Sequence, residues 1–267
     1  MKELDLPLGR DTVYPAAFAP EVLRAIPRAP AAPGCHGADY WTAHEHGWLD
    51  LAGRPACGVL ELRIPADSPA FVESKSLKLY LGSYAMSHWR DGAAVEAQVA
   101  QDVGSTCGVA VDVRLRTLDE HAALPRVRDA ELGTCIDAEE VAFDASATRG
   151  VLPTVLANET IVAQVLYSHL LRSLCPVTGQ PDHATLVLQY RGRALDRGRL
   201  LQYILGFRNE ACFHERLIER IHADVLAHCA PASLTVSGLF CRRGGIDIVP
   251  VRSTEPTHAR PPRTARQ

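Results

Sequence analysis

The chain has 267 residues, 47 % of them hydrophobic, enough to bury one large core or two smaller ones and to leave room for an internal duplication. With 28 basic against 31 acidic residues and a formal net charge of −3, no charge imbalance marks a nucleic acid or a membrane surface as the main partner, so a small-molecule ligand is expected. The N-terminal MKELDLPLGRDTVYP lacks the basic start, apolar run and cleavage site of a signal peptide, and no run of about 18 apolar residues follows, so a cytoplasmic location is expected.

The first ~55 residues are rich in Pro, Ala and Gly, with short apolar patches such as EVLRAI, and predict an irregular lead-in with one short helix at most. From Gly58, GVLELRI alternates as a half-buried strand does, and PADSPAF breaks it. ESKSLKLYLGSY follows, then the helix-like AAVEAQVAQDV and a second alternating strand, VAVDVRLRTL. A connecting segment covers residues 116 to 150. In the second half ATLVLQYRG alternates as a strand, RLLQYILGFRNEACFHERLIERIHADVLAHC has helical spacing, and SLTVSGLF with IDIVPV predicts a hairpin turning at Gly244-Gly245.

The order strand, helix, strand thus occurs twice. Asp102-Val103 with Cys107 recurs as Asp224-Val225 with Cys229, and Leu81-Gly82 as Leu205-Gly206 at nearly the same offset. This predicts a duplication, with an N-terminal module over residues 1–140 and a C-terminal module over 141–267. Chance recurrence on two amphipathic helices is the alternative.

Eight cysteines (Cys35, Cys57, Cys107, Cys135, Cys175, Cys212, Cys229, Cys241) are scattered rather than clustered, and none forms C-x-x-C, so thiols are expected rather than disulfides or a structural zinc site. The single H-x-H, His44 and His46, has no Cys or carboxylate cluster beside it, and no metal is expected. Cys175 opens the turn Pro176-Val177-Thr178-Gly179-Gln180-Pro181-Asp182, whose prolines and glycine can hold a thiol and a carboxylate in fixed geometry. A nucleophilic cysteine needs a base or a cation nearby, which His214 can supply; a buried apolar cysteine beside a turn-capping Asp182 fits these residues equally well. His214 and Glu215 are adjacent, so they face one ligand only at a helix end; a solvated face pairing Glu215 and Glu219 with Arg216 and Arg220 is the alternative.

In Glu73-Ser74-Lys75-Ser76-Leu77-Lys78, Ser74 is the expected helix cap, and lysines so near a helix start suggest a bound anion such as phosphate. Solvated lysines on a capped helix are the alternative. Arg242-Arg243-Gly244-Gly245 sets two guanidinium groups at a tight turn, suited either to phosphate or to plain solvation. Neither G-x-G-x-x-G after a strand nor G-x-x-x-x-G-K-[ST] occurs, so both of those nucleotide-binding routes are excluded.

Taken together, FVESKSLKLYL (71–81), LCPVTGQPD (174–182), YRGR (190–193), FHE (213–215) and RRGGIDI (242–248) resemble the NADPH-dependent 7-cyano-7-deazaguanine reductases of queuosine biosynthesis, in their longer two-module form. The resemblance implies an α+β architecture of two tandem tunnelling-fold modules, each an antiparallel sheet with helices packed on one face, assembling as a homo-oligomer, taken as a homodimer. It implies reduction of a nitrile to a primary amine with two NADPH as co-substrate, no metal, and no direct contact with nucleic acid or membrane. Carried over, Cys175 adds to the nitrile carbon to give a thioimide, and Asp182 moves protons with His214 assisting. Glu73 and Glu215 hold the deazaguanine edge, with Val72, Ser74 and His214 close to the substrate; Ser74, Lys75, Arg243 and Gly244 contact NADPH. One departure is that Cys212 precedes His214, whereas one-module relatives carry a second cysteine after their His-Glu pair, so a Cys175–Cys212 bridge is not expected. Competing readings are another tunnelling-fold enzyme, a non-catalytic purine- or pterin-binding module, and a cysteine hydrolase acting on the nitrile.

Overall fold

The computed structural model describes residues 14–29, 35–141 and 156–267. The chain divides into two compact units. The first comprises Asp39–Leu124 with the described residues before position 30 and Arg243–Asp247; the second comprises Pro125–Arg242 and Ile248–Gln267 with residues 35–38.

In the first unit, β1 (Ala25–Pro27) pairs antiparallel with β4 (Ala70–Val72). β2 (His36–Leu49), β3 (Pro55–Pro65) and β5 (Asp112–Arg116) lie side by side in the order β5-β3-β2. Leu60, Leu62 and Ile64 on alternate positions of β3 are buried, as the period of two requires. The helices are α1 (Ser74–Gly82), α2 (Gly92–Cys107) and the short α3 (Leu118–Ala122). α2 packs against β4 and β5, burying Val95, Val99, Val103 and Cys107 at four-residue spacing.

In the second unit, β6 (Thr134–Cys135) runs parallel to β7 (Leu156–Leu174), and β7, β8 (Pro181–Leu195), β9 (Ser233–Phe240) and β10 (Ile246–Ser253) follow antiparallel. α4 (Arg197–Leu205) and α5 (His214–Cys229) cover one face. There Ala184, Leu186, Leu188 and Tyr190 of β8 meet Leu200, Leu201 and Ile204 of α4 and Leu217, Ile218, Ile221 and Val225 of α5. The α+β class is as the sequence predicts.

The duplication is visible bond by bond inside each unit. α1 and α4 each span 9 residues, and α2 and α5 each span 16. Tyr80 Oη donates to Asp102 Oδ2 at 2.7 Å, and Tyr203 Oη donates to Asp224 Oδ2 at 2.6 Å. Leu49 and Leu174 each bridge a segment just before the long helix, at His88 and Ala211 respectively. The adjoining turns also match: Asp50 N bonds Arg54 O and Gly53 N bonds Asp50 O, as Cys175 N bonds Gln180 O and Gly179 N bonds Cys175 O. Cys175 therefore corresponds to Asp50, Asp182 to Ala56, and His214-Glu215 to Gly92-Ala93.

Three expectations need correction. The lead-in is not irregular throughout, because His36–Leu49 is a strand of 14 residues. Residues 38–43 are buried without interruption, so the alternation that would have announced the strand is absent. The long helical stretch of the second half is two helices, parted at 206–213, where Gly206 and Asn209 weaken helix and Ala211 bridges to Leu174. β7 escapes sequence reading because register shifts at Leu156/Ile161 and Ser168/Leu171 break its period. Most of the expected connecting segment carries α3, a 3-10 turn and β6; its residues 142–150 lie outside the described residues.

Candidate active site

Cys175 stands at the mouth of the β7–β8 hairpin. Its N–H donates to Gln180 O at 2.8 Å and its carbonyl accepts from Gly179 N at 2.9 Å, so the six-residue loop is closed on its own backbone. Leu174 just before it is held on a second side, donating to Glu210 O at 2.8 Å and accepting from Cys212 N at 3.0 Å. The thiol is 6 % exposed and thus sheltered from bulk solvent. Asp182 is the second residue of β8, opposite Ser173 of β7, and is 7 % exposed. Because Ala184, two residues on, faces α5, Asp182 points to the helix-covered face as well.

The head of α5 meets it there. His214 is the first residue of the helix, and its Nε2 lies 3.3 Å from Asp182 Oδ2. The imidazole is stacked on Phe240 of β9, ring centroids 3.7 Å apart and planes 11° apart, which fixes its orientation. Glu215, the second residue, is 2 % exposed, so the solvated-face alternative for it fails. Glu219 instead bonds Arg252, and Arg220 pairs with Glu210 and Asp224. Phe213 precedes the helix and provides no side-chain cap. His183, adjacent in sequence to Asp182, is held below the usual imidazole range by burial and by Arg266, Arg172 and Arg208. Cys212 is pushed up to about 11 by burial, with the Glu210 carboxylate adding to the effect.

In the first unit, Glu73 rather than Ser74 caps α1, a correction to the sequence reading. Its Oε1 accepts from Lys75 N at 2.8 Å and its Oε2 from Ser76 N at 2.7 Å. A carboxylate has about four acceptor positions, and with Ser74 Oγ as a third, longer donor about one remains for an N–H donor of a ligand. Val72 is fully buried on β4. Ser74 Oγ is 3.5 Å from Glu73 Oε1. Lys75 Nζ donates to Tyr14 Oη at 3.1 Å and sits over that ring. Arg243 closes the hairpin turn with Ile246, and Gly244 and Gly245 take φ of +60° and +81°, as a type I′ turn requires. A Cβ at Gly244 would lie 3.0 Å from Lys78 Nζ, so this glycine keeps the turn backbone open beside a cation.

The structure therefore brings Cys175, Asp182, His214 and Glu215 to one end of one unit, and Glu73, Ser74, Lys75, Arg243 and Gly244 into the other. Two model regions match the chain: one described as nitrile reductase, 7-cyano-7-deazaguanine-reductase N-term, over residues 14–115, and one described as QueF-like protein, over residues 181–259. NADPH-dependent 7-cyano-7-deazaguanine reductase of Xanthomonas campestris pv. campestris strain B100 is 42 % identical, over 94 % of this chain and 93 % of its own. The protein of the same name from Azoarcus sp. strain BH72 is 42 % identical over 93 % and 90 %, and that from Desulfotalea psychrophila strain LSv54 is 38 % identical over 98 % and 97 %. The chain belongs to the NADPH-dependent 7-cyano-7-deazaguanine reductase family. Family membership agrees with the two-unit α+β architecture and with the resemblance drawn from the motifs.

The sequence did not single out Phe240, on which His214 stacks, or Ser173, which lies opposite Asp182. Phe240 lies far from His214 in the chain and carries no local signal. Ser173 was detectable in principle, since it stands two residues before Cys175 on a strand that leads into the turn. His44 and His46, the H-x-H pair, have separate fates: His44 Nε2 bonds Asp247 Oδ2 at 2.7 Å, while His46 is buried edge-on to Tyr84. Among the described residues no helix is long and apolar enough to cross a membrane.

Proposed function

We propose that this chain reduces the nitrile of 7-cyano-7-deazaguanine to the aminomethyl group, with NADPH as co-substrate, through a covalent thioimide on Cys175, as a step of queuosine biosynthesis. The observation that carries the reading is the buried pair Cys175 and Asp182 at the two ends of one hairpin loop, with the half-buried His214 on Asp182 and the buried Glu215 next to it. The names of the full-length relatives supply the substrate and the reductant.

A nitrile carbon is a weak electrophile, and thiol addition across C≡N divides a hard reduction into easier steps. The Cys175 sulfur bonds to carbon, one π bond of the nitrile breaks, and the thiol proton passes through Asp182 to nitrogen, giving the thioimide. NADPH supplies a hydride to that carbon, and a second NADPH supplies the next hydride; each arrives with one proton from water. After the first, Asp182 and His214 deliver the proton to nitrogen, and the C–S bond then breaks to release Cys175 and an imine. The second hydride and proton complete the amine. Asp182, held between strand and His214, is sheltered enough to carry a proton both ways.

Glu215 and Glu73 accept the N–H donors of the guanine-like ring, with Val72, Ser74 and His214 alongside. A buried carboxylate rejects a ring lacking those donors, because its charge is then left unpaired. Lys75 and Arg243, with the open backbone at Gly244 and the hydroxyl of Ser74, fit a phosphate-bearing co-substrate, and Lys78 beside Gly244 adds a cation. Glu45, 3.8 Å from Lys78, moderates that charge. The reading includes a cytoplasmic homodimer.

The test is loss of NADPH absorbance on mixing with 7-cyano-7-deazaguanine. Absence of oxidation by folded protein refutes the reductase reading, whereas release of carboxylate and ammonia without NADPH indicates a nitrile hydrolase. Without NADPH, the nitrile is expected to raise a new absorption band that Cys175→Ala abolishes; a band that survives the substitution removes Cys175 as nucleophile.

A further inference from the structure

Ser173 has no exposed surface, and its Oγ has no hydrogen-bond partner in the structure. A buried hydroxyl left without a partner costs free energy, so its persistence requires a reason. Ser173 lies directly opposite Asp182 across the β7–β8 ladder. Directly opposed side chains on antiparallel strands share a face and have Cβ atoms about 5 Å apart. At that separation a rotation about the Ser173 side-chain bond can bring its hydroxyl within reach of the carboxylate.

The internal duplication sharpens the point. Leu174 corresponds to Leu49, so Ser173 corresponds to Trp48, while Asp182 corresponds to Ala56. The first unit has an apolar pair where the second has a hydroxyl opposite a carboxylate. The fold at this position does not need polarity; only the unit with Cys175 has it.

We infer that Ser173 is a positioning residue for Asp182, a hydroxyl that donates to the carboxylate form and accepts from the carboxylic acid form as the proton is taken up and delivered. A hydroxyl is suited to this because it can turn from donor to acceptor without moving its oxygen. His214 holds the other side of Asp182 at 3.3 Å, so the two together fix the carboxyl plane in both protonation states. The other titratable groups around Asp182 are Glu215 at the head of α5, Cys175 and His183 on its own hairpin, and Glu210 and Cys212 on the segment bonded to Leu174. This inference rests on the reading of Asp182 as the proton carrier.

The experiment is Ser173→Ala in the full chain, followed by thioimide formation with 7-cyano-7-deazaguanine in the absence of NADPH from pH 5 to 9, and by thermal melting. Removing a donor from a carboxylate disfavours its charged form, so the acid limb of the rate is expected to move up by about one pH unit. The rate at neutral pH is expected to fall about tenfold. The melting temperature is expected to stay within roughly 2–4 °C of wild type, so that a moved limb reports on Asp182 and not on a loss of folding. An acid limb that does not move overturns the inference, whatever the melting temperature does. If the wild-type chain forms no thioimide, the proposed function fails and takes this inference with it; a normal wild-type band with an unmoved Ser173→Ala limb sinks the inference alone.

Discussion

The placement of His214 depends on how closely α5 approaches β9, and Gly238 tests that dependence. A methyl carbon added at Gly238 would lie 2.6 Å from Ile218 Cδ1, 2.8 Å from Ile218 Cγ1 and 3.0 Å from Phe240 Cε2. Carbon atoms rest at about 3.5–4.0 Å, so helix and strand must part by about 1 Å. Turning the Ile218 tip does not suffice, because Cγ1 also clashes and the side chain is fully buried. Ile218 is one helical turn from His214, and Phe240 is the ring on which His214 stacks. The strain therefore falls on the 3.3 Å contact between His214 and Asp182.

Gly238→Ala is expected to cost about 1–3 kcal/mol of stability, as overpacking does, and to lower kcat by up to about 100-fold, the scale of a 1 Å misplacement. Ile218→Val removes the nearest clashing atom and alone costs about 0.5–1.5 kcal/mol. In the double variant the two effects should not add: a coupling of about 1 kcal/mol toward recovery is expected, with kcat partly restored. Urea denaturation and the NADPH-oxidation assay measure both. Additive stabilities, or a Gly238→Ala enzyme with unchanged kcat, would refute the idea that this contact sets the position of His214.

Three further outcomes are expected. His46 and His222, each 2 % exposed, are held down to about 4 by burial, with Arg252 adding to the effect at His222. Between pH 6.5 and 4 the unfolded chain then binds protons that the folded one refuses, so stability falls as pH drops through that window, by up to about 3 kcal/mol per histidine; His222→Leu should flatten the loss in urea melts at pH 7 and 4.5, and a parallel loss would refute it. Cys212, with its thiol near 11, should resist iodoacetamide at pH 8 while the exposed Cys57 and Cys135 react, and Cys212→Ala should leave the thioimide yield intact; labelling of Cys212 as fast as Cys57, read by mass spectrometry, would contradict this. Glu73→Ala removes two cap bonds and should lower stability by about 1–2 kcal/mol as well as raise KM for the nitrile, whereas Glu73→Gln keeps an acceptor and should act mainly on KM; equal melting temperatures for the two would show that the cap bonds contribute little.

The sequence by itself showed the candidate site residues and the repeat. Cys175 and Asp182 stand in one short turn, His214 and Glu215 are adjacent, and Asp-Val-x-x-x-Cys recurs, because such features are local and survive in a linear reading. β3, α2, β8 and the glycine turn were legible for the same reason: one face buried and one exposed leaves a period in the residues themselves. β2 and β7 were not, since continuous burial erases alternation in one and register shifts scramble it in the other. Only the tertiary structure decided which residues meet across the chain. It made Glu73 the cap of α1, laid His214 on Phe240 against Asp182, and put Ser173 opposite that same carboxylate. Those contacts join residues on different strands and helices, and what brings them together is ladder register and the packing of α5 on the sheet, neither of which a local pattern encodes.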